Sequence, residues 1–293
     1  MRLFSLLVLS AAAVGAASAS LQAAELKEVW TVSTGLKMPE SAWYDASTKT
    51  VYVSNIGTAP DKKDGTGYIS KYDASGKLLQ EKWVTGLNAP KGIRGRGKMI
   101  FVSAVDTIVG INTETGKIDH TIPVEGAKFL NDVAVDGDGN YYVSDTFGGE
   151  IHKLTPDGKL SVFAKSPTTQ SPNGLLVKDG KLIVGGWAKE QNADGSTKVA
   201  GQLFSLDLKT KEQSFITKEP LGNLDGIEVD AHGHYLVSDW FNGKVFHVTE
   251  DGKAMTLLSM KQGTADHAFI AEKNLLILPR MMEDKLTAYE LIE

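Results

Sequence analysis

Six polar residues stand at one recurring position along the chain: Glu40, Lys91, Asn131, Asn173, Asp225 and Asp266, at spacings of 51, 40, 42, 52 and 41 residues. Each precedes by two an apolar or small residue: Ala42, Ile93, Val133, Leu175, Ile227 and Ala268. Glu40 and Asp225 are carboxylates, and Asn131 and Asn173 carry amide oxygens. Brought together, four hard oxygen donors, two of them charged, suit Ca²⁺ or Mn²⁺ with water completing the shell. Carboxylates aimed at one another repel unless a cation lies between them. A cation so held polarises a carbonyl or acidifies a water. Taken singly, Asn173-Gly174 and Asp225-Gly226 also read as ordinary turn pairs, and Lys91 as an ion-pair partner of Glu40 or Asp266. The phase they share is what argues for a site. The histidines do not form a metal cluster by spacing. His232 and His234 fall in a hairpin and read as exposed, while His120, His152 and His247 read as isolated structural residues. His267 is the exception, being next to Asp266. No nucleophile-elbow serine and no P-loop is present.

The elements that must position these residues are strands. Short β-branched and aromatic runs recur after each polar position: Thr50-Val51-Tyr52-Val53-Ser54-Asn55, Met99 to Ala104, Asn140 to Asp145, Lys181 to Gly186, His234 to Asp239 and Asn274 to Pro279. They are too short for core helices and are bounded by turn residues. Turns of the type Asp73-Ala74-Ser75-Gly76-Lys77 and Asp157-Gly158-Lys159 follow in step. A period of about 40 to 45 residues with several strands per unit predicts a six-bladed β-propeller with four-stranded antiparallel blades. Blade one reads as strands over 41–45, 51–55, 68–72 and 78–84. Blade six has only three strands, the last at 285–291. The unassigned strand at 26–32 is expected to complete it, closing the ring without an open edge. In this topology the six polar residues ring the mouth of the central channel. Asn55, Asp145, Trp187, Asp239, Trp240 and Arg280 lie just outside. Blades one and four carry insertions at 56–67 and 188–201, expected to flank the mouth as mobile polar loops.

The composition limits the classes of function. The chain has 293 residues, 42% of them hydrophobic, and a formal net charge of −5. The charge argues against nucleic acid as the main partner. With no cysteine, thiol catalysis, disulfides, zinc–thiolate sites and iron–sulfur clusters are excluded. Arg2, the apolar run at 3–14 and the small-residue pattern Ala17-Ser18-Ala19, with Ala23-Ala24 as a second choice, read as a signal peptide over residues 1–24. A single propeller domain over 25–293, secreted or periplasmic and monomeric, is therefore expected, with no membrane contact after cleavage.

These motifs resemble the gluconolactonase, regucalcin (senescence marker protein) and luciferin-regenerating-enzyme family of six-bladed propellers. Met38-Pro39-Glu40-Ser41 is similar to its first-blade motif. Phe129-Leu130-Asn131-Asp132, Ser171-Pro172-Asn173-Gly174-Leu175 and Leu224-Asp225-Gly226-Ile227 are similar to those of its third, fourth and fifth blades. The resemblance implies one divalent cation, Ca²⁺ first with Mn²⁺, Zn²⁺ or Mg²⁺ as alternatives, held by Glu40, Asn173 and Asp225, with Asn131 lining the site or joining the set. It implies that Asp225 is also the general base or nucleophile. In related phosphotriesterase propellers an acid and a histidine hold a second calcium, and Glu228 and His267 stand at comparable positions. Where sugar-lactone members carry an arginine, this chain has Phe129, which weakens the case for an aldonolactone. The implied activity is opening of a lactone or related ester. The alternatives are a non-catalytic binding or scaffold propeller with a structural metal, and phosphotriester hydrolysis at the same site. Lys91, Asn131, Asp145, Trp187, Trp240 and Arg280 are the candidates for the walls of a small-molecule pocket.

Overall fold

Residues such as Tyr52 and Val53 are adjacent, so their side chains leave a strand on opposite faces, yet both are fully buried. A strand apolar on both faces must lie between two other layers, and the radial packing of blades supplies them. A computed structural model describes residues 24–193 and 196–292. The expected signal peptide, residues 1–24, lies outside the described residues except for Ala24. Six four-stranded antiparallel sheets follow in chain order. The innermost strands are Pro39–Asp45, Pro90–Arg96, Leu130–Val135, Pro172–Lys178, Leu224–Val229 and Ala268–Ile270. The core is divided accordingly: one apolar cluster fills each interface between neighbouring blades. The outermost strands face solvent; Ile118–Pro123 is exposed along most of its length.

Glu25–Val32 pairs antiparallel with Lys285–Ile292, with Leu26 opposite Leu291 and Trp30 opposite Ala288. The N-terminal strand thus completes blade six, as its alternating sequence and the missing fourth strand of that blade require. Among the described residues, no helix is long and apolar enough to cross a membrane.

A bulge near the start of five innermost strands is the device that builds the channel mouth. Pairing with the second strand breaks between Pro39 and Ser41, Pro90 and Ile93, Leu130 and Val133, Pro172 and Leu175, and Leu224 and Ile227. The unpaired residues are the polar ones of the repeat, freed from the ladder. Serines of the second strands accept the amide hydrogens that the bulges release: Ser54 from Ser41, Ser144 from Asp132 and Ser238 from Gly226, at 2.8–2.9 Å.

The glycines after Asn173 and Asp225 are therefore not turn residues. Both lie within strands and neither has a positive φ. Their role is close approach. A methyl group on Gly174 would overlap the carbonyl oxygen of Asp225 in the next blade, and one on Gly226 would lie 2.7 Å from the Cα of Asp266. The overlap is with backbone, so Gly174→Ala has no flexible neighbour to displace. It is expected to lower stability by about 1–3 kcal/mol or more, the range for overpacked sites. Urea denaturation of the purified variant checks this, and an unchanged midpoint would contradict it.

Both insertions are tied down by hydrogen bonds among the described residues. Ala188–Gln191 and Thr197–Ala200 pair as a β-hairpin. Asn223 anchors it by donating to the Trp187 carbonyl at 2.9 Å and to Thr197 Oγ1 at 2.6 Å. In blade one, the Gly65 amide donates to Asn88 Oδ1 at 3.0 Å and the Ile56 amide to the Met38 carbonyl at 3.1 Å. Polar, Gly-rich composition hid these tethers because their partners lie far along the chain from the insertions.

Candidate metal centre and pocket

The bulged strands bring Glu40, Lys91, Asn131, Asn173 and Asp225 to the floor of one cavity of about 450 Å³. Its walls are largely apolar: Ile56, Pro60, Phe129, Phe147, Trp187, Trp240 and Met281. Trp187 and Trp240 pack 5.9 Å apart, and Phe129 and Phe147 4.6 Å apart. Asp61 and Thr146 complete the lining.

Three oxygens at this floor, Glu40 Oε2, Asn173 Oδ1 and Asp225 Oδ1, are buried and accept no hydrogen bond from the described residues. Buried acceptors without donors are costly and uncommon. Burial pushes the Glu40 carboxyl well above its usual range, the Asp225 charge adds to this, and Lys91 opposes it. Burial likewise pushes Asp225 up, reinforced by Asp266 and Asp132. A set of orphaned oxygens, two of them on carboxylates that resist ionisation, fits a hard divalent cation. Asn131 is positioned for the same group. Its amide nitrogen donates to Thr146 Oγ1 at 3.2 Å, and Thr146 donates to the Pro172 carbonyl at 2.9 Å, leaving the Asn131 oxygen free of that pair. Thr146 escaped the sequence reading; its position directly after the strand end Val143-Ser144-Asp145 was the signal.

Lys91 is 1% exposed, with Nζ donating to the Ala89 carbonyl at 3.1 Å and lying 4.3 Å over the Phe129 ring. Burial lowers its pKa to about 8, against the opposing pull of Glu40 and Asp61. Trp187 and Trp240 line the cavity, and Trp240 Nε1 donates to Met281 Sδ at 3.3 Å. Asp145 and Arg280 are placed elsewhere. The Asp145 carboxylate accepts from the Lys128, Phe129 and Gly148 amides and so fixes the loop entering blade three. Arg280 is ion-paired with Glu283.

Below the floor the channel holds a cation of the chain's own. Arg94 forks onto Asp266 at 3.1 and 3.3 Å and reaches Glu228 at 3.5 Å. Asp132 also faces it electrostatically, while accepting the Val133 and Leu175 amides. Glu228 and His267, the pair considered for a second calcium, are thus next to a guanidinium. Burial raises Glu228 to about 7, Arg94 opposing, and burial depresses His267 to about 4. His267 Nε2 contacts the Leu236 carbonyl at 3.2 Å. Arg94 was not singled out from sequence, although it is one of three basic residues, with Lys91 and Arg96, in the innermost strand Pro90–Arg96.

The histidine reading needs correction. His234 is not exposed and His247 is not isolated: the two rings pack 4.9 Å apart, edge to face, beside Asp230. Spacing concealed this because His247 reaches the hairpin from the neighbouring third strand.

A six-bladed propeller with hard oxygen donors at its channel mouth is the class that fold and site define. The chain belongs to the SMP-30/gluconolactonase/LRE-like family, whose sequence profile matches residues 38–277. No curated protein sequence matches it. Among solved structures it is similar to a calcium-binding protein, regucalcin, from Agrobacterium tumefaciens, with TM-score 0.67, 16% identity, and coverage of 92% of this chain and 95% of that one. It is also similar to a gluconolactonase from Xanthomonas campestris, with TM-score 0.65, 16% identity, and coverage of 91% and 87%. A streptogramin B lyase is comparable, with TM-score 0.64, 14% identity, and coverage of 92% and 98%. At these identities the likeness is one of fold.

Proposed function

We propose that the protein is a divalent-metal-dependent hydrolase that opens a lactone or related ester in the channel-mouth cavity. The observation that carries this reading is the trio of buried, donor-less oxygens of Glu40, Asn173 and Asp225 beneath a largely apolar wall. With Asn131 they would hold the cation, Ca²⁺ being favoured by an all-oxygen set. When bound, the cation supplies Lewis acidity toward an acyl carbonyl. Asp225 takes a proton from the attacking water or attacks directly. Lys91, desolvated and facing Glu40, directs positive charge to the floor where acyl negative charge develops. Asn131 orients the substrate, and the aromatic walls exclude bulk water. Family membership supports the assignment of reaction type, and the apolar run at residues 3–14 supports a secreted or periplasmic location.

The test is metal content and turnover of a panel of lactones, aryl esters and phosphotriesters, for wild type and Asp225→Ala. The proposal expects one Ca²⁺ per chain in Ca²⁺-equilibrated protein, lost in the variant, and lactone turnover at least a hundredfold lower in the variant. Metal-dependent turnover of the phosphotriester alone would change the substrate class. Bound metal with no turnover of any member would leave a binding propeller instead.

The walls predict the kind of lactone. Phe129, Phe147, Trp187 and Trp240 offer rings rather than hydroxyl-binding groups. Each buried methylene contributes about 0.8 kcal/mol, roughly a factor of four. A lactone with a four-carbon alkyl chain is therefore expected to exceed gluconolactone in kcat/KM by at least tenfold. Phe129→Arg is expected to shrink that ratio by raising KM for the alkyl lactone; a ratio unmoved by the substitution would remove Phe129 from the pocket.

A further inference from the structure

The hairpin joining the first two strands of blade five lies at the opposite end of Leu224–Val229 from Asp225. Its Asp230 is buried and its carboxylate is fixed. Oδ1 accepts the backbone amides of His232 and His234 at 2.8 and 2.9 Å, while Oδ2 lies 2.6 Å from His247 Nε2. His234 Nδ1 is buried 3.5 Å from the same Oδ2, without a hydrogen-bond partner.

Blade three supplies an internal control. There Asp136 Oδ1 accepts the amides of Asp138 and Asn140, both at 2.9 Å, so the turn is the same. Asp136 Oδ2, however, accepts the Asn140 side chain at 2.8 Å and the Tyr142 hydroxyl at 3.1 Å. Blade three thus satisfies the turn with two ordinary donors. Blade five replaces them with two imidazoles, one of which leaves its nitrogen unpaired against the carboxylate. Closing this turn does not require that.

We propose that Asp230, His234 and His247 form a binding site for a borderline divalent transition metal, Zn²⁺ or Ni²⁺ in class, distinct from the oxygen site at the channel mouth. Their candidate ligand atoms, Oδ2, Nδ1 and Nε2, all lie within 4.8 Å of one another. Tetrahedral zinc with bonds of about 2.0–2.1 Å needs neighbouring ligand atoms roughly 3.3 Å apart. The His234–Asp230 separation already matches, and the His247 pair has to open by less than an ångström. Two imidazoles and one carboxylate select this class over Ca²⁺. The backbone amides on Oδ1 supply the outer hydrogen bonds that orient a ligating carboxylate. Three protein ligands leave a coordination position for water or an exogenous ligand.

The probes are Co²⁺ and Zn²⁺ titrated into protein already saturated with Ca²⁺, for wild type, His234→Asn and His247→Gln. Wild type is expected to take up one equivalent with a tetrahedral Co²⁺ absorption band, and each variant to bind at least tenfold more weakly with the band lost. Broadening by Co²⁺ of the His234 and His247 ring resonances in labelled wild-type protein is an independent readout that needs no folded variant. Equal uptake by wild type and both folded variants, or broadening that spares these two rings, would overturn the assignment.

Discussion

Asp225→Asn is expected to stabilise the metal-free protein and to destabilise the protein in saturating Ca²⁺. In the absence of a cation, Asp225 places a carboxylate in a buried site facing Glu40, Asp132 and Asp266, with Oδ1 unpaired. Asparagine keeps the shape and removes the charge. With Ca²⁺ at a hundred times its dissociation constant, linkage adds about 2.7 kcal/mol to wild type. For a chain of this size that is a shift of roughly 5–10 °C in Tm, absent or much reduced in the variant. The pH dependence follows from the direction of the shifts. Glu40 and Asp225 titrate higher folded than unfolded, so the fold binds protons that the unfolded chain releases. Their contribution is full below the unfolded value near 4 and is lost as pH rises through the raised folded values. Glu228, raised to about 7, acts in the same sense. Chelated wild type should therefore melt lower at pH 8 than at pH 5, and Ca²⁺ should restore it at pH 8. Melting curves with chelator and with Ca²⁺ at both pH values test this. A Tm that ignores Ca²⁺ in wild type, or that falls in metal-free Asp225→Asn, would mean the ring is not a cation site.

Arg94→Met is expected to be the most destabilising single substitution in the channel. Arg94 is 6% exposed, and its guanidinium is the partner of Asp266 and Glu228, with Asp132 close enough to raise its pKa further. Removing one member of a buried charge network leaves its partners uncompensated, which costs about 3–5 kcal/mol. Arg94→Lys should recover only part of this, since an ammonium cannot fork onto both Asp266 oxygens. Combining Arg94→Met with Asp266→Asn should recover more, because the stranded charge is gone. Urea denaturation of the three variants measures the order. A double variant no more stable than Arg94→Met would show that packing, not charge, sets the cost.

The blade count and five of the six ring positions were legible because their bulges recur with the blade repeat, so a geometric feature of the channel is written as a sequence period; the sixth, Asp266, holds Arg94 and does not line the cavity. Ring closure was legible from a missing strand at one end and a surplus one at the other. The sequence could not separate Asn173-Gly174 and Asp225-Gly226 from turns, since the same dipeptide serves tight turns and close strand approach. What failed were contacts made between blades or across strands. Asp145 shares its position in the repeat with Asn55 and Asp239, and that position holds loops: Asn55 Oδ1 accepts the Lys37 amide and Asp239 Oδ1 the Asn223 amide. Arg94 carries no motif, because its meaning comes from Asp266, 172 residues away. His247 was unreadable for the same reason, meeting His234 only through strand pairing.

The clasp between Glu25–Val32 and Lys285–Ile292 has a consequence for the order of events in synthesis. The propeller's first strand waits for its last, and until then two sheet edges stand open at once. Thr31 and Thr287, with hydroxyls 2.9 Å apart, meet only once the strands of all six blades have been made. Once they have met, the circle has no privileged starting point. Its first and last strands lie side by side in one sheet, so linking them and cutting the chain between other blades would leave every strand with the neighbours it has now.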